Sequence, residues 1–239
     1  MRPNILDRLL KDRTAKTPVV LVTDLTSGAQ ALVYPRDVSG DLPLDPDAIA
    51  RVREALQVDE SGTIEHAGRR LFLHVQNPRL RLIIVGAVHI AQALAPMAAL
   101  AGYNVIIIDP RRAFATDARF PDVKLIGEWP DEVMATMTLD RRTAVVTLTH
   151  DPKLDDPALQ TALKSDAFYI GALGSKRTHA ARLGRLKSAG LGEADCARIH
   201  GPVGLDIGAV SPAEIAVSIL AQITQVLRQG TDARREKAA

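Results

Sequence analysis

The 239-residue sequence has one cysteine, Cys196, which excludes an intramolecular disulfide and a cysteine-based zinc cluster. A single thiol suits a reducing compartment, so a cytoplasmic location is expected. Aromatic residues are scarce at 3%, which argues against a reader of RNA or single-stranded DNA, because such modules stack bases on Phe, Tyr and Trp. Charge of one sign is missing too. The 30 Lys and Arg face 28 Asp and Glu, a formal +2, which is too little for a phosphate-backbone footprint, and no nucleic-acid partner is expected. Nor is there a long unbroken hydrophobic run. The most apolar stretch, 82–108, contains His89, Gln92, Pro96 and Asn104, so it reads as strand, helix and strand and no membrane association is expected. Asp7 and Arg8 interrupt the apolar residues near the N-terminus. No secretory leader is therefore expected, and the mature chain is expected to be the whole chain.

What is present is an ordinary globular mixture, 46% hydrophobic and 24% charged, of a length that fits one large domain and a smaller companion. Residues 1–78 read as a small strand-rich α+β domain with one helix. Two β-type runs at 17–23 and 30–34 are joined by the turn residues Ser27 and Gly28, which predicts a hairpin. Asp45-Pro46 opens an amphipathic helix over 48–58, with Ile49, Val52 and Leu56 on one face. Gly62 and Gly68 bracket a second strand pair. Asn77-Pro78 reads as the linker, because a residue before proline is pushed out of helical geometry.

From residue 79 to 239 the pattern becomes strands alternating with helices, the signature of an α/β Rossmann-like parallel sheet. Strands are expected at 82–85, 105–108, 123–126, 144–148 and 167–170. Helices are expected at 88–101, 131–137, 157–164 and 176–189. A last helix, 212–228, carries Ser211, Pro212 and Glu214 in a capping box. Pro96 falls inside the first of these helices and should kink it at a cost of roughly 3 kcal/mol. Cys196 lies in the polar stretch 192–198 and is expected on the surface.

In an open parallel sheet ligands sit beyond the carboxyl ends of the strands, where strand order reverses. The first such end is Gly86-Ala87-Val88-His89, and Asp109 follows at the end of the second strand at about the 20-residue spacing of a dinucleotide fingerprint. The second glycine of that fingerprint is replaced by Val88, whose side chain stands where a pyrophosphate would approach the backbone. The motif thus supports the fold more than a bound NAD. The fifth strand leads into Gly171-Ala172-Leu173-Gly174-Ser175-Lys176-Arg177 and a helix. Glycines, a hydroxyl and two cations at a helix start make a phosphate cradle. Thr149-His150-Asp151 ends the fourth strand, and a glycine-rich loop from His200 to Gly208 precedes the last helix. His89, His150 and Asp151 could converge on a metal, but no His-x-x-x-His or Cys pair supplies adjacent ligands, and loop-bracing hydrogen bonds are the favoured reading.

These segments resemble the XdhC/CoxF family of accessory proteins that mature xanthine dehydrogenase-type molybdoenzymes. The likeness runs from Leu82 to about Leu227 and rests on LIIVGAVHIAQALAP, IIDPRRAFAT, VVTLTHDPKLDDPAL, FYIGALGSKRTHAARL and HGPVGLDIGAVSPAEIAVSILAQI. The resemblance implies a C-terminal Rossmann domain, usually in a homodimer. It further implies that the protein binds molybdenum cofactor in its molybdopterin form, protects it, assists its sulfuration and inserts it into an apo-molybdoenzyme. Family members usually carry GAGH where this chain has Gly86-Ala87-Val88-His89. They also carry an N-terminal domain with a GGC-type cysteine motif, and residues 1–78 match only the later part of it, around Gly68 to Phe72. A cysteine desulfurase and a separate protein supplying the N-terminal half are further expected partners. The expected cofactor-binding residues are Gly86, His89, Asp109, His150, Asp151, Gly171, Gly174, Ser175, Lys176 and Arg177, with Lys176 and Arg177 on phosphate. No catalytic residue is assigned. The alternatives are an NAD(P)-dependent oxidoreductase, with Arg111 and Arg112 near a 2′-phosphate, and a nucleotide-sensing module without chemistry.

Overall fold

A computed structural model describes residues 3–238, with side chains described through residue 229. The chain falls into two compact units, Met1–Pro78 and Arg79–Ala239. In the first, α1 (Pro3–Thr14), β1 (Val19–Asp24), β2 (Gln30–Val33), β3 (Val38–Gly40), α2 (Pro46–Val58), β4 (Gly62–His66) and β5 (Arg69–Gln76) follow in order. The strands form an antiparallel sheet ordered β3-β2-β1-β5-β4. Alternation along β1 sends Val20 and Val22 toward Val52 and Leu56 of α2, while Val19 and Leu21 pack with Ile5 and Leu9 of α1. The unit thus has two helices, one more than the sequence pattern suggests. Ile5 and Leu9 are spaced four apart and buried, but the adjacent Leu6 and Leu10 are exposed, which blurs the one-face apolar pattern in the sequence. Asp45 caps α2 by accepting from the Ala48 amide at 2.8 Å, as the Asp-Pro opening predicts.

The second unit contains β6 (Arg81–Val85), α3 (His89–Leu100), β7 (Asn104–Ile108), β8 (Lys124–Ile126), α4 (Pro130–Thr136), β9 (Thr143–Thr147), α5 (Pro152–Leu163), β10 (Tyr169–Ala172), α6 (Lys176–Ser188), α7 (Glu193–Cys196), β11 (Ile199–His200) and α8 (Pro212–Ala238). All six strands are parallel, ordered β11-β10-β9-β6-β7-β8. Numbered within the unit this is the doubly wound 3-2-1-4-5-6 order, with the reversal between β6 and β9. Leu82 and Ile84 face α3 and α8 on one side, and Ile83 and Val85 face α4, α5 and α6 on the other. Strands buried on both faces favour apolar residues on both sides, which is why the interiors of β6, β7 and β9 read as hydrophobic runs.

Four expectations need correction. The sheet has a sixth strand, β11, too short to show a pattern. The fifth strand starts at Tyr169 instead of 167, because Arg198 holds the carbonyls of Leu163, Ser165 and Ala167 in the preceding turn at 2.7–3.0 Å. Helix α5 begins at Pro152, not 157, capped by Asp151; Pro157 is carried inside it because the face formed by Leu154, Ala158, Leu159 and Ala162 is packed on the sheet. Cys196 is 4% exposed. The short helix α7 turns it inward against Leu186, Leu191 and Ile199, where a thiol behaves as a small apolar group.

Candidate functional site at the carboxyl edge of the parallel sheet

Parallel pairing puts the carboxyl ends of β6, β7, β9 and β10 along one edge, and the residues expected from the sequence are distributed over the turns that follow them. Gly86 leaves β6 with φ +112°, and a Cβ there would lie 2.7 Å from the Thr149 methyl. The turns after β6 and β9 therefore touch at the reversal point, and any side chain at 86 would force them apart. Val88 is the N-cap of α3 without a side-chain cap bond. His89 opens that helix and is exposed.

Asp109 at the end of β7 is fully buried. Its Oδ2 accepts from the Ala87 amide at 2.8 Å and from Arg111 Nη2 at 2.8 Å, and its Oδ1 accepts from Arg111 N and Nε at 2.9 Å each. Burial pushes this carboxyl up, but the Arg111 fork and the two amides outweigh it and hold it below the usual carboxylate range. A second arginine, Arg119, donates to the Ala87 carbonyl at 3.1 Å. The peptide groups on both sides of Ala87 are thus gripped by the protein. Asp109 braces the first turn, and its acceptor atoms are already engaged where a dinucleotide site would offer them to a ribose hydroxyl.

On the other side of the reversal point, His150 is exposed and adopts φ 60°, a left-handed conformation uncommon outside glycine. The turn is held by Thr149, whose Oγ1 accepts from the Asp151 amide at 3.0 Å and donates to Asp155 Oδ1 at 2.6 Å. Asp151 caps α5 by accepting from the Lys153 amide at 2.9 Å. Gly171 is a buried residue of β10, pressed against Tyr169 and Val203, and acts by its small size. Gly174, with φ +147°, turns the chain into α6 under Thr178. Ser175 caps that helix, accepting from the Thr178 amide at 3.1 Å. Lys176 and Arg177 are its first two residues and are exposed. Their amides have no partner within the helix, and among the described residues neither side chain is in an ion pair. Two unused N–H groups and the positive end of the helix dipole lie there beside two exposed cations, which is the chemistry of an anion site.

The structure brings Gly174, Ser175, Lys176 and Arg177 into one turn and places Thr149, His150 and Asp151 in the neighbouring one. His89, His150 and Asp151 do not converge, and among the described residues no group of three His, Cys, Asp or Glu could hold a metal ion. Sequence reasoning missed the bracing residues Arg119, Asp155, Arg182 and Gln222. Arg182 had a signal, since it lies four residues before the core residue Leu186 on the same helical face. Gln222 had none, because its bonds to Gly204 N at 2.8 Å and to the Tyr169 hydroxyl at 2.6 Å cross long sequence separations.

The XdhC Rossmann domain family matches residues 82–223, more than half of the chain and the whole of the edge just described. The chain belongs to the XdhC family. It is 35% identical over 160 residues to a probable xanthine dehydrogenase subunit of Bacillus subtilis, covering 66% of this chain and 46% of that protein. It is 36% identical over 149 residues to the molybdenum cofactor insertion chaperone PaoD of Escherichia coli, covering 62% of this chain and 41% of the chaperone. A third relative, the uncharacterized YqeB of Escherichia coli, is 34% identical over 156 residues, covering 65% of this chain and 29% of YqeB. This XdhC-family chain thus spans less than half the length of these curated relatives. In the solved structure of a xanthine dehydrogenase from Bacillus halodurans the likeness extends over 97% of this chain and 68% of that one, with a TM-score of 0.77 and 25% identity. Among the described residues, no helix of this XdhC-family chain is long and apolar enough to cross a membrane.

Proposed function

We propose that this chain binds molybdenum cofactor at the carboxyl edge of its parallel sheet and acts as an accessory protein in maturing a xanthine dehydrogenase-family molybdoenzyme. The observation that carries the reading is the exposed start of α6, where Ser175, Lys176 and Arg177 present two free amides and two cations that form no ion pair among the described residues. Molybdopterin is a phosphate ester bearing a dithiolene, and its phosphate fits that cradle. The metal end finds no thiolate here, since Cys196 packs in the α5–α6 layer. The residues present therefore fit the phosphate and pterin end of the cargo. Gly86, His89, Asp109, His150, Asp151, Gly171 and Gly174 belong to the same proposed edge. Asp109 shapes the first turn from within, and His89 and His150 are exposed and would be the side chains offered to the pterin.

The cargo is protected, passed through sulfuration and handed to the apo-enzyme, with this chain working as a homodimer in the cytoplasm. A cysteine desulfurase or a separate N-terminal-half protein acts alongside it. The closely braced Asp109 disfavours an NAD(P)-dependent oxidoreductase on the same sheet. Fluorescence titration of the full chain with isolated cofactor tests the reading. The Lys176→Ala/Arg177→Ala variant should bind at least about tenfold more weakly, the loss expected for two phosphate contacts, with its unfolding midpoint unchanged. Equal affinity in both proteins would remove the phosphate assignment. Tight NADPH binding with dye reduction would replace the accessory reading altogether. Molybdenum analysis of a client enzyme matured with and without this chain tests insertion directly.

A further inference from the structure

Between the two turns of the proposed site lies an ion pair that nothing in the anion chemistry requires. Arg182 of α6 and Asp155 of α5 are each 2% exposed at the side chain, and their nearest charged atoms, Arg182 Nη2 and Asp155 Oδ2, are 3.8 Å apart. That separation is too long for a hydrogen bond. Among the described residues, Arg182 Nε and Nη1 and Asp155 Oδ2 have no hydrogen-bond partner. Burying two charges that satisfy one another so incompletely is costly, and apolar side chains of the same volume would fill the space without that cost. The few bonds the pair does make are directed. Arg182 Nη2 donates to the Leu173 carbonyl at 2.7 Å, immediately before Gly174 and the Ser175 cap. Asp155 Oδ1 accepts from the Thr149 hydroxyl at 2.6 Å, and that hydroxyl accepts from the Asp151 amide. A chain of contacts thus runs from the His150 turn through Thr149, Asp155 and Arg182 to the turn that starts α6.

We propose that Thr149, Asp155 and Arg182 are positioning residues that couple the two turns, so that the anion-binding start of α6 and the His150–Asp151 turn are ordered together. The inference rests on the cofactor-binding reading for its purpose but not for its test. Thr149 makes no bond to α6 and Arg182 makes none to the turn at 149–151, so a merely local role predicts that each affects its own turn alone.

The test uses amide hydrogen exchange on the full chain. Thr149→Val removes the hydroxyl and nearly preserves shape; Thr149→Ser restores the hydroxyl; Arg182→Met removes the guanidinium. In Thr149→Val the Thr178 and His179 amides, which bond to Ser175, should exchange about tenfold faster, the size of an ordinary coupling within one network. Thr149→Ser should restore wild-type protection. Arg182→Met should correspondingly loosen the Leu154 and Asp155 amides, which bond to the Asp151 carbonyl. If Arg182→Met does not fold, the Thr149 pair decides alone. Loosening confined to 149–155 in Thr149→Val, or a serine variant indistinguishable from valine, would overturn the proposal. A parallel titration with inorganic phosphate and with isolated cofactor, read at the Lys176 and Arg177 amides, should show about tenfold weaker binding in Thr149→Val. Absence of binding to the wild-type chain would refute the cofactor reading while the exchange result still decides the coupling.

Discussion

Replacing Asp109 by Asn tests the bracing of the first turn most directly. The carboxylate is fully buried and accepts four hydrogen bonds, one from Ala87 N and three from Arg111. An amide has one acceptor oxygen, so in either orientation its NH2 faces a donor on the other side. The variant loses at least two charge-assisted bonds and leaves a donor unsatisfied. Each such bond contributes about 1.5–3 kcal/mol. Arg111 is 35% exposed at the side chain and recovers part of this by hydration. A net destabilisation of about 2–3 kcal/mol follows.

Urea unfolding at pH 7, followed by the fluorescence of Trp129, reports on this unit because that residue is the sole tryptophan and opens α4. The pH dependence supplies a second check. Asp109 is depressed in the folded state, so its contribution is complete above the unfolded carboxyl value of about 3.9 and disappears as pH falls through the lower folded value. The gap between wild type and D109N should therefore be constant from pH 7 to about 5 and close below about 4. A loss under about 0.5 kcal/mol, the range of an unremarkable surface change, or a gap that persists in acid, would refute the bracing role.

Other outcomes follow from single side chains. His200 is stacked on Tyr169 with ring centroids 4.7 Å apart, and burial pulls its imidazole below the ordinary value. Its share of stability is complete above the unfolded value of about 6.5 and is lost as pH falls through the lower folded value; His200→Phe should keep the stack and flatten the thermal midpoint between pH 7.5 and 5. Gly171→Ala places a Cβ 2.6 Å from Val203 and 2.8 Å from the Tyr169 ring, and should cost about 1–3 kcal/mol by overpacking, measured by urea midpoint. Cys196, at 4% exposure, should resist a thiol reagent in the native chain and react only as the protein unfolds. Fast stoichiometric labelling under native conditions would show that α7 opens.

Much of the fold was legible because it rests on local rules. The apolar runs in the interiors of β6, β7 and β9 follow from burial on both faces, and the caps at Asp45 and Ser211 follow from the chemistry of a helix start. Glu214 Oε2 accepts from the Val210 and Ser211 amides at 2.8 Å each, as the capping-box spacing requires. The order of strands and helices was enough to direct attention to one edge of one sheet. What was not legible depends on partners distant in sequence. Cys196 looks like a surface thiol until α7 folds it inward. The early start of α5 is a different case, a local cap in which Asp151 accepts from the Lys153 amide and which Pro157 masked.

Residue order alone identified most of the strands, the starts of α3, α6 and α8, and the glycines, hydroxyl and two cations at the start of α6. Those properties follow from side-chain periodicity and from groups within a few residues of one another. Only the folded chain reveals that Asp109 faces inward and binds Arg111 and Ala87, and that Thr149, Asp155 and Arg182 run between two turns. The direction of a buried charge is set by whatever lies opposite it once the sheet has closed. No spacing along the chain encodes that neighbour.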